Sequence, residues 1–118
     1  LVRQVQLTCD GKPWVFARTV VPIRSLKGRG RALARLGRRP LGEVLFSDPH
    51  LRRGEPEVAP LTADNPLYAL AAGNSAVDSC LWGRRSRFLI GRKPLLVSEF
   101  FLPQFIVALE EARDDAHC

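Results

Sequence analysis

At 118 residues the chain has room for one small domain with a single core. An apolar share of 46% and a charged share of 25% are ordinary for a globular protein, and no apolar run reaches the roughly 18 residues that cross a bilayer. The net charge of +6 suits an anionic partner without separating nucleic acid from a small acid.

Residues 1–7 alternate in polarity, so Arg3 shares a face with Val5 and Leu7 while Gln4 and Gln6 lie opposite. Arg3 is the lone cation on an apolar face. The start of the chain has no charged-then-apolar targeting pattern, and a cytoplasmic location is expected from that. Cys9-Asp10-Gly11-Lys12 supplies a turn, with Gly11 suited to a positive φ, and residues 14–21 return as a second strand. Trp14 is expected in the core. Arg18 shares a face with Trp14 and Phe16, from which it can reach a pocket on that face, and a structural pair is the plainer role.

Pro22 ends the hairpin. After a loop with Gly28 and Gly30, residues 31–36 read as a short helix stopped by Gly37, and Pro40 introduces another over 41–46. The first N–H groups of such a helix lack internal partners and can meet a carboxylate. Lys27, Arg29, Arg31, Arg35, Arg38 and Arg39 form a basic stretch without an acid. No aromatics interleave with it, so a solvated surface is expected rather than a nucleic-acid site. Residues 48–79 are punctuated by Gly and Pro and read as irregular connection, with a short strand near 57–59 and a helical turn at 67–72.

Residues 81–90 form a third strand, with Trp82 expected in the core and at least one of Arg84, Arg85 and Arg87 expected to pair with a carboxylate. Gly91-Arg92-Lys93-Pro94 turns the chain into the strand Leu95-Leu96-Val97-Ser98-Glu99-Phe100-Phe101-Leu102-Pro103. Glu99 shares one face with Leu95, Val97 and Phe101, and the other face is also apolar. That pattern predicts a strand covered on both faces with a carboxylate inside. A buried charge left unpaired costs several kcal/mol in typical cases, so Glu99 requires a cation, a hydrogen-bond partner, a proton or a ligand. A structural ion pair, or an edge-strand acid reaching water, is the plainer alternative. Residues 104–116 have helical composition and an acidic end. Cys9, Cys80 and Cys118 form no CxxC pair, and His50 and His117 are the only histidines, so neither a zinc site nor a disulfide framework is expected. With no repeat or linker, residues 1–118 are expected to form one domain.

Arg3…Asp10-Gly11-Lys12-Pro13-Trp14…Arg18-Thr19-Val20-Val21-Pro22 and Leu36-Gly37…Pro40-Leu41-Gly42…Leu45-Phe46 resemble bacterial chorismate lyase. So do Leu81-Trp82-Gly83-Arg84-Arg85-Ser86 and Gly91…Lys93-Pro94-Leu95-Leu96…Glu99…Phe101-Leu102-Pro103. The four fragments occur in the family's order. The resemblance implies an α+β fold, an antiparallel sheet of hairpins with short helices packed on it. It also implies removal of pyruvate from chorismate to give 4-hydroxybenzoate, at the head of ubiquinone synthesis, with product inhibition and without a metal or organic cofactor. By the same resemblance Arg3 holds the ring carboxylate, the Leu41 backbone N–H assists it, and Glu99 stands at the ring's hydroxyl end. A monomer with small-molecule partners is expected. The family has a substantial segment ahead of Arg3 that covers the site, so the chain is expected to lack that leading segment. A non-catalytic small-ligand sensor of the same fold and an inactive fragment of the lyase are the alternatives.

Overall fold

A computed structural model describes residues 1–73 and 80–116, with side chains described through residue 113 of the last helix. Part of the connection read as irregular, together with His117 and Cys118, lies outside the described residues. The chain opens with the expected hairpin, β1 (Val2–Cys9) and β2 (Lys12–Val20). Its two-residue loop has positive φ at both positions, 52° at Asp10 and 75° at Gly11, the mirror-image turn whose twist matches paired strands. The last hairpin, β5 (Leu81–Ile90) and β6 (Lys93–Phe101), repeats the geometry with Gly91 at 56° and Arg92 at 66°. Arginine gains nothing from the left-handed region, which costs an ordinary residue roughly 1–2 kcal/mol.

Between the hairpins the short helix expected over 31–36 takes the 3₁₀ form and starts earlier. Two 3₁₀ segments stand there, Ile23–Leu26 and Gly28–Arg35. The buried positions explain the choice: Gly30, Leu33 and Leu36 recur every third residue, the period of a 3₁₀ turn. Gly30 is also pressed against the preceding segment, where a Cβ would lie 1.9 Å from the Ser25 carbonyl oxygen. The buried Ser25 hydroxyl in turn donates to the Pro94 carbonyl at 2.7 Å.

Helix α1 (Leu41–Leu45) follows Pro40 as expected. Two strands occupy the region expected to be largely irregular, β3 (Arg52–Arg53) and β4 (Glu57–Leu61), and both pair with β5. Arg52 stands opposite Leu89 and Arg53 opposite Phe88 in antiparallel register. Helix α2 (Pro66–Ala72) is capped by the Asn65 side chain, which accepts from the Leu67 N–H, and α3 (Pro103–Ala116) follows the last strand. The antiparallel sheet has the order β1-β2-β6-β5-β3, with β4 also on β5, and the short helices complete the α+β architecture. Among the described residues no helix is long and apolar enough to cross a membrane.

The chain divides into two compact units. The first, residues 1–3, 18–57 and 85–97, has a core of Val21, Leu33, Leu36, Val44, Leu45, Phe88, Ile90 and Leu95. The second, residues 4–17, 58–84 and 98–118, buries Phe16, Leu61, Ala71, Ala72, Leu81 and Leu102. Full burial of a side chain such as Leu95 or Leu102 contributes about 1.5–3 kcal/mol. Within the second unit Trp82 departs from its expected place and is 53% exposed. It alternates with Leu81 and Gly83, which take the inward positions of β5. Gly83 is required there: a Cβ would come within 2.5 Å of the Phe100 ring.

Candidate functional site

Strand β1 lies at the sheet edge, and only Arg3 and Val5 of its eight residues are partly buried. From that position the Arg3 guanidinium donates through Nη2 to the Arg39 carbonyl at 3.0 Å. Arg39 is held in turn by its own side chain, which donates to the Glu43 carboxylate one helical turn on at 3.0 Å. The contact draws Arg3 to the approach of α1, two residues before Leu41. Leu41 itself is the first residue of the helix and packs partly buried on the first unit's core. Pro40, at the cap position, supplies no side-chain acceptor for the helix's leading N–H groups. The structure thus brings Arg3 and the start of α1 together. The remaining N–H groups of the planar guanidinium have no partner among the described residues, leaving a fork suited to a carboxylate.

Arg18 lies in the same unit, on β2. Its Nε is buried and has no hydrogen-bond partner among the described residues, so the structural pair expected for it is not formed there. A buried, unmatched guanidinium N–H costs free energy until something accepts from it. Its position two residues beyond Phe16 on an apolar face is the sequence signal that set it beside the candidate pocket.

Glu99 belongs to the second unit, on β6. Instead of lying inside a strand covered on both faces, its side chain retains 25% exposure, because most of β6 is only half-buried. Its partner is Arg84 of neighbouring β5, whose Nε donates to Oε1 at 2.9 Å. The Arg84 guanidinium also sits over the Phe101 ring, 5.9 Å from the centroid, so a carboxylate and an aromatic face fix one cation. Phe101 stacks on Phe105 of α3 at 5.3 Å, and Trp14 meets Phe105 edge-on at 5.6 Å. Trp14 is therefore half-buried in an aromatic cluster. The sequence motif containing Arg84, Arg85 and Arg87 made a carboxylate partner expected without choosing one. Arg84 takes Glu99, and Arg85 takes the exposed Glu57 with two bonds of 3.0 and 3.4 Å.

Chemically, the first unit offers guanidinium donors with a helix start beside them, the grouping that receives a carboxylate. The second offers a carboxylate oriented by a cation and aromatic rings, which can accept from a hydroxyl or exchange a proton. Cys9 and Cys80 are free thiols, Cys9 exposed and Cys80 half-buried.

The family model described as chorismate lyase matches residues 1–109. A protein of Psychromonas ingrahamii named "Probable chorismate pyruvate-lyase" is 48% identical over 104 residues, covering 87% of this chain and 56% of its own. Proteins of the same name from Methylobacillus flagellatus and Methylococcus capsulatus are 43% and 45% identical. They are matched over 90% and 95% of this chain and 60% and 68% of their own lengths. The chain thus spans a little under three-fifths of the first of these curated relatives. Among solved structures, the ligand-binding domain assigned to a GntR-family transcriptional regulator of Bordetella bronchiseptica superposes with a TM-score of 0.56. It is 16% identical and matches 86% of this chain and 67% of its own, a likeness of fold.

Proposed function

Because this chain belongs to the chorismate lyase family, we propose that it carries the residues with which a chorismate pyruvate-lyase converts chorismate to 4-hydroxybenzoate and pyruvate. The observation that carries this reading is the contact between Arg3 and the Arg39 carbonyl, which sets a guanidinium beside the start of α1. In this reading Arg3 and the Leu41 N–H hold the ring carboxylate. Glu99, oriented by Arg84, accepts from the ring hydroxyl.

The reaction breaks the ether bond between the ring and the enolpyruvyl oxygen, and the hydrogen leaves the hydroxyl-bearing ring carbon. The ring becomes aromatic, and pyruvate forms once that hydrogen reaches the enolpyruvyl methylene. Aromatisation drives the step. The protein's contribution is therefore positioning, exclusion of water and stabilisation of charge on the departing oxygen. In a pericyclic route the leaving group takes the hydrogen itself; in a stepwise route Glu99 would carry it. The reaction would supply the aromatic acid for ubiquinone synthesis from a cytoplasmic monomer inhibited by its own product.

A sensor domain of the same fold is the second reading, prompted by the structural neighbour. At 16% identity that neighbour supports the fold alone, whereas the lyase relatives share nearly half of the aligned residues.

Pyruvate release from chorismate, followed with a coupled dehydrogenase, tests the proposal on this chain and on a chain extended upstream to the relatives' length. Turnover in either supports the lyase reading, and its absence from both contradicts it. Arg3→Ala should lower kcat/KM by roughly 10- to 150-fold, the range for losing a charge-assisted contact. Glu99→Gln should lower it with the fold retained, and near-normal turnover in both variants removes these residue assignments.

A further inference from the structure

On the first unit an open surface cavity of about 680 Å³ is lined by Arg29, His50, Arg52, Leu89, Gly91 and Arg92, with the arginines and His50 solvent-exposed. None of the residues assigned above to the lyase reaction lines it. We propose that this cavity is a binding site for a phosphate monoester group, held chiefly by Arg52 and Arg92.

Charge and partnering point to this ligand. Three guanidinium groups line one space, and Asp48 is tied to one of them, its Oδ1 accepting from Arg29 at 3.0 Å and from the His50 backbone N–H at 2.9 Å. Asp48 neutralises Arg29 and anchors the turn that leads to His50. Arg52 and Arg92 have no carboxylate partner among the described residues, leaving two uncompensated positive charges at the cavity. A carboxylate would neutralise one. A phosphate monoester carries about −1.5 to −2 at pH 7 and presents several acceptor oxygens to guanidinium forks. The volume also exceeds what a bare phosphate fills and lies within the roughly 300–1,000 Å³ of small-molecule sites, leaving room for an organic body along Leu89.

The backbone supplies an independent reason. Arg92 occupies the second loop position of the β5–β6 hairpin with φ 66°, where glycine is the favoured residue. Residues held in such conformations cluster at ligand and active sites. Gly91 beside it admits the Arg29 stem, whose Cβ and Cδ lie 3.2 and 3.3 Å from where a Gly91 Cβ would be. The turn therefore gathers Arg29 and Arg92, and the register of β3 against β5 sets Arg52 opposite Leu89.

Arg92→Gly provides the sharpest test, since it relieves the backbone while deleting the binding group. Phenyl phosphate is titrated calorimetrically into the whole chain at low salt, with benzoate as the single-charge comparison. The expected result is saturable 1:1 binding of phenyl phosphate over benzoate, weakened about tenfold or more by Arg92→Gly and by Arg52→Gln. Arg31→Ser, a change in the exposed basic stretch, should leave it unaltered, and Arg92→Gly should not lower the melting temperature. Sedimentation with phosphatidic acid vesicles, lost in Arg92→Gly, would assign the monoester to a lipid headgroup; saturable binding without sedimentation would assign it to a soluble ester. Equal binding by wild type and both pocket variants, equal affinity for benzoate, or no saturable binding would overturn the proposal.

Discussion

Glu99 and Arg84 show what one residue can and cannot disclose. An acid flanked by apolar residues requires a partner, and that need was legible in the strand pattern. The partner lies 15 residues away across a hairpin, and register decides which of three arginines reaches it. At 25% and 42% side-chain exposure the pair adds only about 0.2–1 kcal/mol to stability. Arg84→Gln is therefore expected to shift the denaturation midpoint little while lowering pyruvate release, because Glu99 loses the group that orients it. A loss of activity matched by loss of fold would contradict that division. Asp64 is a second case, with no part in the proposed chemistry. A hydrogen bond from the Thr62 hydroxyl, then one from its own backbone N–H, holds its carboxyl below the ordinary aspartate range. The lowered value makes Asp64 stabilising above the unfolded-state pKa, and that contribution is lost as pH falls through the folded value. NMR titration should show Asp64 protonating later on acidification than a model aspartate, and Thr62→Ala should move it back toward the ordinary value.

Among the elements, both hairpins were readable because turn chemistry and alternation agree over residues 1–21 and 81–103. The 3₁₀ segments were not, since Ala32-Leu33-Ala34-Arg35-Leu36 favours an α-helix locally and only packing reveals the three-residue period. Strand β3 escaped for a related reason: two exposed arginines carry no strand signal, and pairing with β5 alone defines them. Trp82 was misplaced because burial tendency cannot tell which face of a strand a residue takes, whereas the Gly83–Phe100 contact sets that face. Two glycines make the packing testable. Gly83→Ala must displace the Phe100 ring and should cost about 1–3 kcal/mol in chemical denaturation. Gly30→Ala should cost more, because the atom in its way is the Ser25 backbone oxygen rather than a side chain that can turn. Unchanged midpoints in both would contradict the close approaches.

For the molecule as a whole, composition set the scale and the sign of charge, but motif order set the chemistry. Four short fragments in one order carried the family resemblance, and the match over residues 1–109 shows that family directly. The solvated basic stretch was legible in the sequence, whereas the placement of Arg3, Arg52 and Arg92 was not. Folding leaves much of the basic stretch solvent-exposed, sends Arg3 to the start of α1 and gathers Arg52 and Arg92 at a separate cavity. The residues proposed for the site, Arg3, Leu41 and Glu99, come from the sequence resemblance, while the Arg84 partner of Glu99 and the unmatched Arg18 Nε needed coordinates. The most direct measurement is calorimetric titration of 4-hydroxybenzoate and of 4-hydroxybenzamide, which lacks the carboxylate, into the upstream-extended protein and its Arg3→Ala variant. The account predicts binding of the acid, a loss of about tenfold or more in Arg3→Ala, and little affinity for the amide in either. Equal affinity for acid and amide, or unchanged binding of the acid by Arg3→Ala, would contradict it.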